Sequence, residues 1–96
     1  MYDVRFSPAA ERYFKKLREK GLRDAYRAAI EKLSVDPYVG QAKHGDLAGF
    51  YGCDVRYAGT NYEIAYLIYE EGANLIVVVL AGSRENFYEQ LKRYMS

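Results

Sequence analysis

Leu75-Ile-Val-Val-Val-Leu80, followed at once by Ala81-Gly-Ser-Arg-Glu-Asn-Phe-Tyr88, decides how this chain folds. Six consecutive aliphatic residues, mostly β-branched, are what a strand covered on both faces requires. Gly82 and Ser83 then predict a break, with a turn and a helix cap. The residues delivered to the end of the sheet are Arg84, a fixed cation, and Tyr88, a phenol.

The segments on either side give the strand its company. Tyr2, Val4 and Phe6 alternate on one face of a first strand, and Ser7-Pro8 supplies an N-cap and a first helical residue. Ala10, Tyr13, Phe14 and Leu17 recur at helical spacing, predicting an amphipathic helix that ends at Lys20-Gly21. Tyr26, Ala29, Ile30 and Leu33 repeat the spacing in a second helix closed by Asp36-Pro37, so a short link at Gly21 predicts a helical hairpin. After a polar loop from Tyr38 to Gly49, Phe50–Ala58 and Tyr62–Tyr69 read as strands around a Gly59-Thr60-Asn61 turn. Glu70–Asn74 is the next turn, and a final helix spans about Glu85 to Tyr94. The order β-α-α-β-β-β-α predicts an α+β fold, an N-terminal helical hairpin packed on a four-stranded, mainly antiparallel sheet.

Composition bounds the rest. Ninety-six residues, half of them hydrophobic, make one domain over 1–96 with a single core. Cys53 is the only cysteine, which excludes an internal disulfide and any cysteine-based zinc site, and fits a reducing cytoplasm. No secretory leader or membrane-length apolar run is visible, and no phosphate-loop or dinucleotide motif. Neither metal nor cofactor is expected. The net charge is +1, with nine Lys/Arg against six Asp/Glu in residues 1–36 and five against seven thereafter. A dedicated nucleic-acid binder carries a larger basic excess, so any such contact must be local.

The order of elements, Leu47-Ala-Gly49 opening the second strand, Tyr62-x-x-x-Tyr66 in the third and the turn at Arg84 resemble the RelE/ParE superfamily of bacterial type II toxins. The resemblance spans essentially the whole chain. It implies a small antitoxin as partner and one of two activities. RelE-like members cleave mRNA in the ribosomal A site, making ribosome and mRNA partners, whereas ParE-like members poison DNA gyrase. A non-catalytic remnant that only binds its partner is a third possibility. The RelE-like reading, a metal-free mRNA endoribonuclease, is the one adopted here. In one departure, Glu63 stands where many RelE-like members carry arginine.

RNA cleavage through the ribose 2′-hydroxyl needs a proton acceptor, a proton donor and cations for the phosphorane. Arg56, Arg84 and Tyr88 are the catalytic candidates. The arginine forks match phosphate oxygens, and a phenol one helical turn from Arg84 can stack or pass a proton. Lys43, His44 and Glu63 are the substrate-binding candidates. Each has an ordinary alternative. Arg84 can pair with Glu85 or Glu89, Arg56 with Asp54 or Glu63, and a loop histidine is commonly plain surface. Tyr62 and Tyr66 are read as sheet residues, and the basic run from Arg12 to Arg27 as a solvated helix face.

Overall fold

The computed structural model describes residues 1–95. Its elements are β1 (Asp3–Phe6), α1 (Pro8–Lys16), α2 (Lys20–Val35), β2 (Gln41–Ala42), β3 (Tyr51–Tyr57), β4 (Thr60–Tyr69), β5 (Leu75–Ser83) and α3 (Phe87–Met95). They build a five-stranded sheet in the order β1-β5-β4-β3-β2. β5 runs parallel to β1, with Asp3 opposite Leu75 and Phe6 opposite Val78. The other neighbours are antiparallel. The sheet has one strand more than the four expected, because β2 is only two residues long and carries no periodicity to read.

Ser7 caps α1 as its sequence predicts, its hydroxyl accepting from the Ala10 amide at 3.1 Å and donating to the Val79 carbonyl at 2.5 Å. The hairpin link differs from expectation. Leu17 leaves the helix with an extended backbone and packs on the core, so α1 stops at Lys16, a turn early. Gly21 lies inside α2 instead of in the link. Its missing Cβ makes room for Tyr57, whose ring and hydroxyl occupy that space. The turn between β3 and β4 is tighter than expected. Ala58 and Gly59, at φ 49° and 78°, form the two-residue connection whose twist suits a hairpin.

Two apolar clusters sandwich the sheet. On the hairpin side, Leu22, Tyr26, Leu33, Ile64, Tyr66, Ile76 and Val78 are buried together. Tyr26 meets Phe14 and Tyr13 edge to face and shares a 2.9 Å hydrogen bond with the Tyr13 hydroxyl, so its buried phenol is satisfied. Tyr66, fully buried, donates to the Pro37 carbonyl at 2.6 Å. On the other side a smaller cluster joins Leu47, Phe50, Ala65, Val79, Phe87 and Leu91 under α3.

β5 serves both clusters through a bulge. Ala65 pairs with Leu80 and Tyr66 with Val78, which leaves Val79 unmatched. The extra residue reverses the alternation. Ile76 and Val78 face the hairpin, Val79 and Leu80 both face α3, and Ala81 returns to the hairpin side. Gly82 and Ser83 therefore continue the strand, opposite Glu63 and Tyr62, where a break and a helix cap were expected. The change of direction comes after Ser83, and α3 begins only at Phe87, beyond Asn86 at φ 59°.

Candidate functional site

Glu63 is the centre of the α3 face. Strand alternation on β4 sends Tyr62, Ile64 and Tyr66 to the hairpin and Glu63 to the opposite side, beside Asp54 of β3 and Gly82 of β5. There it is buried to 1% exposure. A carboxylate so placed needs partners. Three elements supply them. Tyr88, in the first turn of α3, donates its hydroxyl to Oε2 in a short hydrogen bond. Lys43, from the loop after β2, sets its ammonium 3.6 Å from the same oxygen and 4.8 Å above the Tyr88 ring. Arg84, following β5, brings Nε to 3.9 Å from Oε1.

Backbone geometry aims each group. The Arg84 amide donates to the Asn61 carbonyl at 2.9 Å, which anchors the turn after β5 to the start of β4. The Lys43 amide donates to the Phe50 carbonyl, also at 2.9 Å, tying the loop to β3. Gly52 is the floor: a Cβ there would lie 2.5 Å from Glu63 Oε2 and 2.6 Å from Lys43 Cε. Arg84 extends outward, half exposed, and hydrogen-bonds Asp54 Oδ1 through its Nη1 at 3.4 Å.

The electrostatics are set by loss of water. Burial pushes the Glu63 carboxyl above the usual carboxylate range, and the Tyr88 hydrogen bond and the Lys43 ammonium only partly counter it. Oε1 is buried without a hydrogen-bond partner, which leaves acceptor capacity in place. Burial also raises Tyr88, reinforced by its bond to the carboxylate, so the phenol stays protonated at neutral pH. Burial pulls Lys43 down, yet Tyr88 and Glu63 together outweigh it and its pKa lies above the ordinary lysine value. The result is a proton donor, a hydrogen-bonded buried acceptor and two cations within one patch.

Four of the six residues singled out from the sequence thus meet: Lys43, Glu63, Arg84 and Tyr88. Two do not. Arg56 sits on β3 beyond Asp54, exposed, in register with Asn61, and Arg84 engages Asp54 instead. His44 is exposed and contributes its backbone carbonyl to Leu47, without a side-chain cap bond. Arg84 does not pair with Glu85 or Glu89 but with carboxylates of β3 and β4, and it precedes α3 instead of sharing a helix face with Tyr88. Asp54 and Gly52 are members that sequence reading passed over. The alternation from Asp54 to Arg56 was available as a signal; nothing in a sequence says which side chain a glycine makes room for. Among the described residues no three His, Cys, Asp or Glu side chains converge closely enough to hold a metal ion. Nor is any helix long and apolar enough to cross a membrane.

The model of the ParE-like toxin of the type II bacterial toxin-antitoxin system matches residues 4–92. Among solved structures, the RelBE2 toxin–antitoxin complex of Mycobacterium tuberculosis contains a chain 31% identical, at a TM-score of 0.66, over 86% of this chain and 98% of that one. A mutant of the E. coli toxin RelE in the free state is 20% identical at a TM-score of 0.70, over 96% of each chain. The intact E. coli RelBE complex gives 18% and 0.69, over 85% and 95%. The two E. coli matches bear on fold alone. No curated protein matches the sequence.

Proposed function

The chain belongs to the ParE-like toxin family of type II bacterial toxin–antitoxin systems, and from that premise we propose that it is an endoribonuclease acting on mRNA at the ribosome in the cytoplasm. The observation that carries this reading is the convergence of Tyr88, Lys43 and Arg84 on the buried Glu63. A desolvated carboxylate with specific charge partners is the kind of group that clusters at functional sites. The antitoxin-bound state of the RelBE chains supports a small antitoxin as the partner of this chain too.

In the proposed reaction the ribose 2′-oxygen attacks the adjacent phosphorus and the bond to the 5′-oxygen breaks. The products are a 2′,3′-cyclic phosphate and a free 5′-hydroxyl. Arg84 and Lys43 hold the phosphate and the charge that grows on the phosphorane. Tyr88 takes the 2′-hydroxyl proton as its own proton passes to Glu63, whose raised pKa suits it to that role. Water protonates the leaving oxygen. Glu63, being buried, acts through Tyr88 and does not touch the RNA.

The test is mRNA cleavage in a translating extract. Glu63→Gln and Tyr88→Phe each lower the cleavage rate by about 10²-fold, within the range of general acid–base catalysis. The double variant is no slower than either single one, because both remove the same proton path. Additive losses sink the relay. Undisturbed mRNA together with arrested gyrase supercoiling replaces the reading with a ParE-like one.

A further inference from the structure

The outer edge of β3 is open over most of its length. β2 covers it only at Tyr51 and Gly52, so among the described residues Cys53–Tyr57 pair with β4 on one side and with no strand on the other. The Lys43 amide bonds the Phe50 carbonyl across that edge, which fixes the parity: even-numbered residues of β3 direct their backbone groups outward. The outward N–H and C=O groups are therefore those of Asp54 and Arg56, and the Asp54 carbonyl carries only a long, weak contact from the Cys53 thiol at 3.7 Å. A groove of about 550 Å³ runs beside them, walled on the hairpin side by Ala25, Ala28, Ala29 and Lys32 of α2. Small side chains there leave the edge accessible.

We infer that this edge pairs with the same edge of a second copy of the chain, about a twofold axis through Val55. The sequence Cys53-Asp54-Val55-Arg56-Tyr57 is complementary to itself when run antiparallel. With Val55 opposite Val55, Asp54 of each copy faces Arg56 of the other on the α3 side of the sheet, giving two opposite-charge cross-strand pairs. The same register places the outward groups of residues 54 and 56 face to face, so each such pair exchanges two backbone hydrogen bonds, the narrow pairs of an antiparallel ladder. A one-residue slip destroys both matches. The hairpin geometry permits the approach: the chain leaves the edge at Ala58–Gly59, which is where the β2 strand of the other copy begins. Arg56, exposed and outside the Glu63 cluster, gains a partner, and two five-stranded sheets become one of ten.

Mass measurement of the free chain by light scattering across the micromolar range tests this without reference to activity. A concentration-dependent dimer is expected. Arg56→Asp sets Asp opposite Asp and weakens association by about tenfold or more, and Asp54→Arg does the same with arginines. The swap Asp54→Arg with Arg56→Asp restores the dimer, and its recovery shows that the single variants did not fail by misfolding. A wild-type chain that stays monomeric overturns the inference and leaves the edge to an antitoxin strand. A dimer indifferent to both single reversals overturns it as well, since it uses another surface.

Discussion

The two faces of the sheet are built on opposite terms. The hairpin face closes over aromatic and aliphatic side chains, and its buried polar atoms, the Tyr26 and Tyr66 hydroxyls, are hydrogen-bonded. The α3 face has a smaller cluster and, at its border, a buried carboxylate with one oxygen left without a hydrogen bond. The first arrangement is what stability asks of a core. The second costs free energy, because a charge loses its water and regains only part of it from Tyr88, Lys43 and Arg84. Residues that destabilise the fold, held in place by a face that overcompensates, are what a functional surface is expected to look like.

The sharpest way to break this contrast is to exchange the measurements. Ile76→Ala, in the middle of the hairpin-side cluster, is expected to lower unfolding free energy in denaturant by about 3 kcal/mol, the usual cost of such a truncation. Arg84→Ala, half exposed on the other face, is expected to change it by no more than about 0.5 kcal/mol while abolishing most RNA cleavage. If Arg84→Ala unfolds the chain, the α3 face is structural and the contrast is lost. A finer probe is Gly52→Ala. Its methyl group would push directly on Glu63 and Lys43, and roughly tenfold slower cleavage with a nearly unchanged melting temperature is the expected result. Equal loss in both quantities would mean the floor of the site belongs to the core.

The smallest effect is in pH dependence. Glu63 has a raised pKa in the fold, so the native state holds that proton more tightly than the unfolded chain does. Its contribution is most favourable below the unfolded carboxylate value of about 4.3 and is lost as pH rises through the higher folded value. Melting temperatures of the wild type, measured relative to Glu63→Gln, are therefore expected to fall as pH rises from that value toward neutrality. A rise instead would show that Lys43 and Arg84 more than repay the burial.

Much of the fold was legible because it rests on long-period signals. The aliphatic run of β5, the helical spacing of Tyr26, Ala29, Ile30 and Leu33, and the Ser7-Pro8 cap all speak locally, and the architecture follows from them. What stayed hidden depends on contacts between distant segments. Leu17 leaves its helix because the core takes it, and Gly21 serves Tyr57, thirty-six residues away in the chain. The bulge at Val79 is invisible because valine suits either side of it. In the site, Glu63 looked like a charge out of place among cations. Alternation along β4 was enough to separate it from Tyr62 and Ile64, but only the pairing of strands shows that Lys43, Tyr88 and Arg84 come to it. For the same reason the sequence could not show that Arg56, near the end of β3 as expected, stands apart from the group around Glu63.

The parallel contact between β1 and β5 governs when any of this can exist. Asp3 to Phe6 must wait for Leu75 to Val78, so β1 closes onto the strand furthest from it along the chain. Loop closure over such a separation is slow, and the hairpin has no sheet to rest on until β3 to β5 have formed. Arg84 and Tyr88 follow later still. Because both lie beyond β5, the cluster around Glu63 can assemble only once the strand that joins the two ends of the sheet has been made.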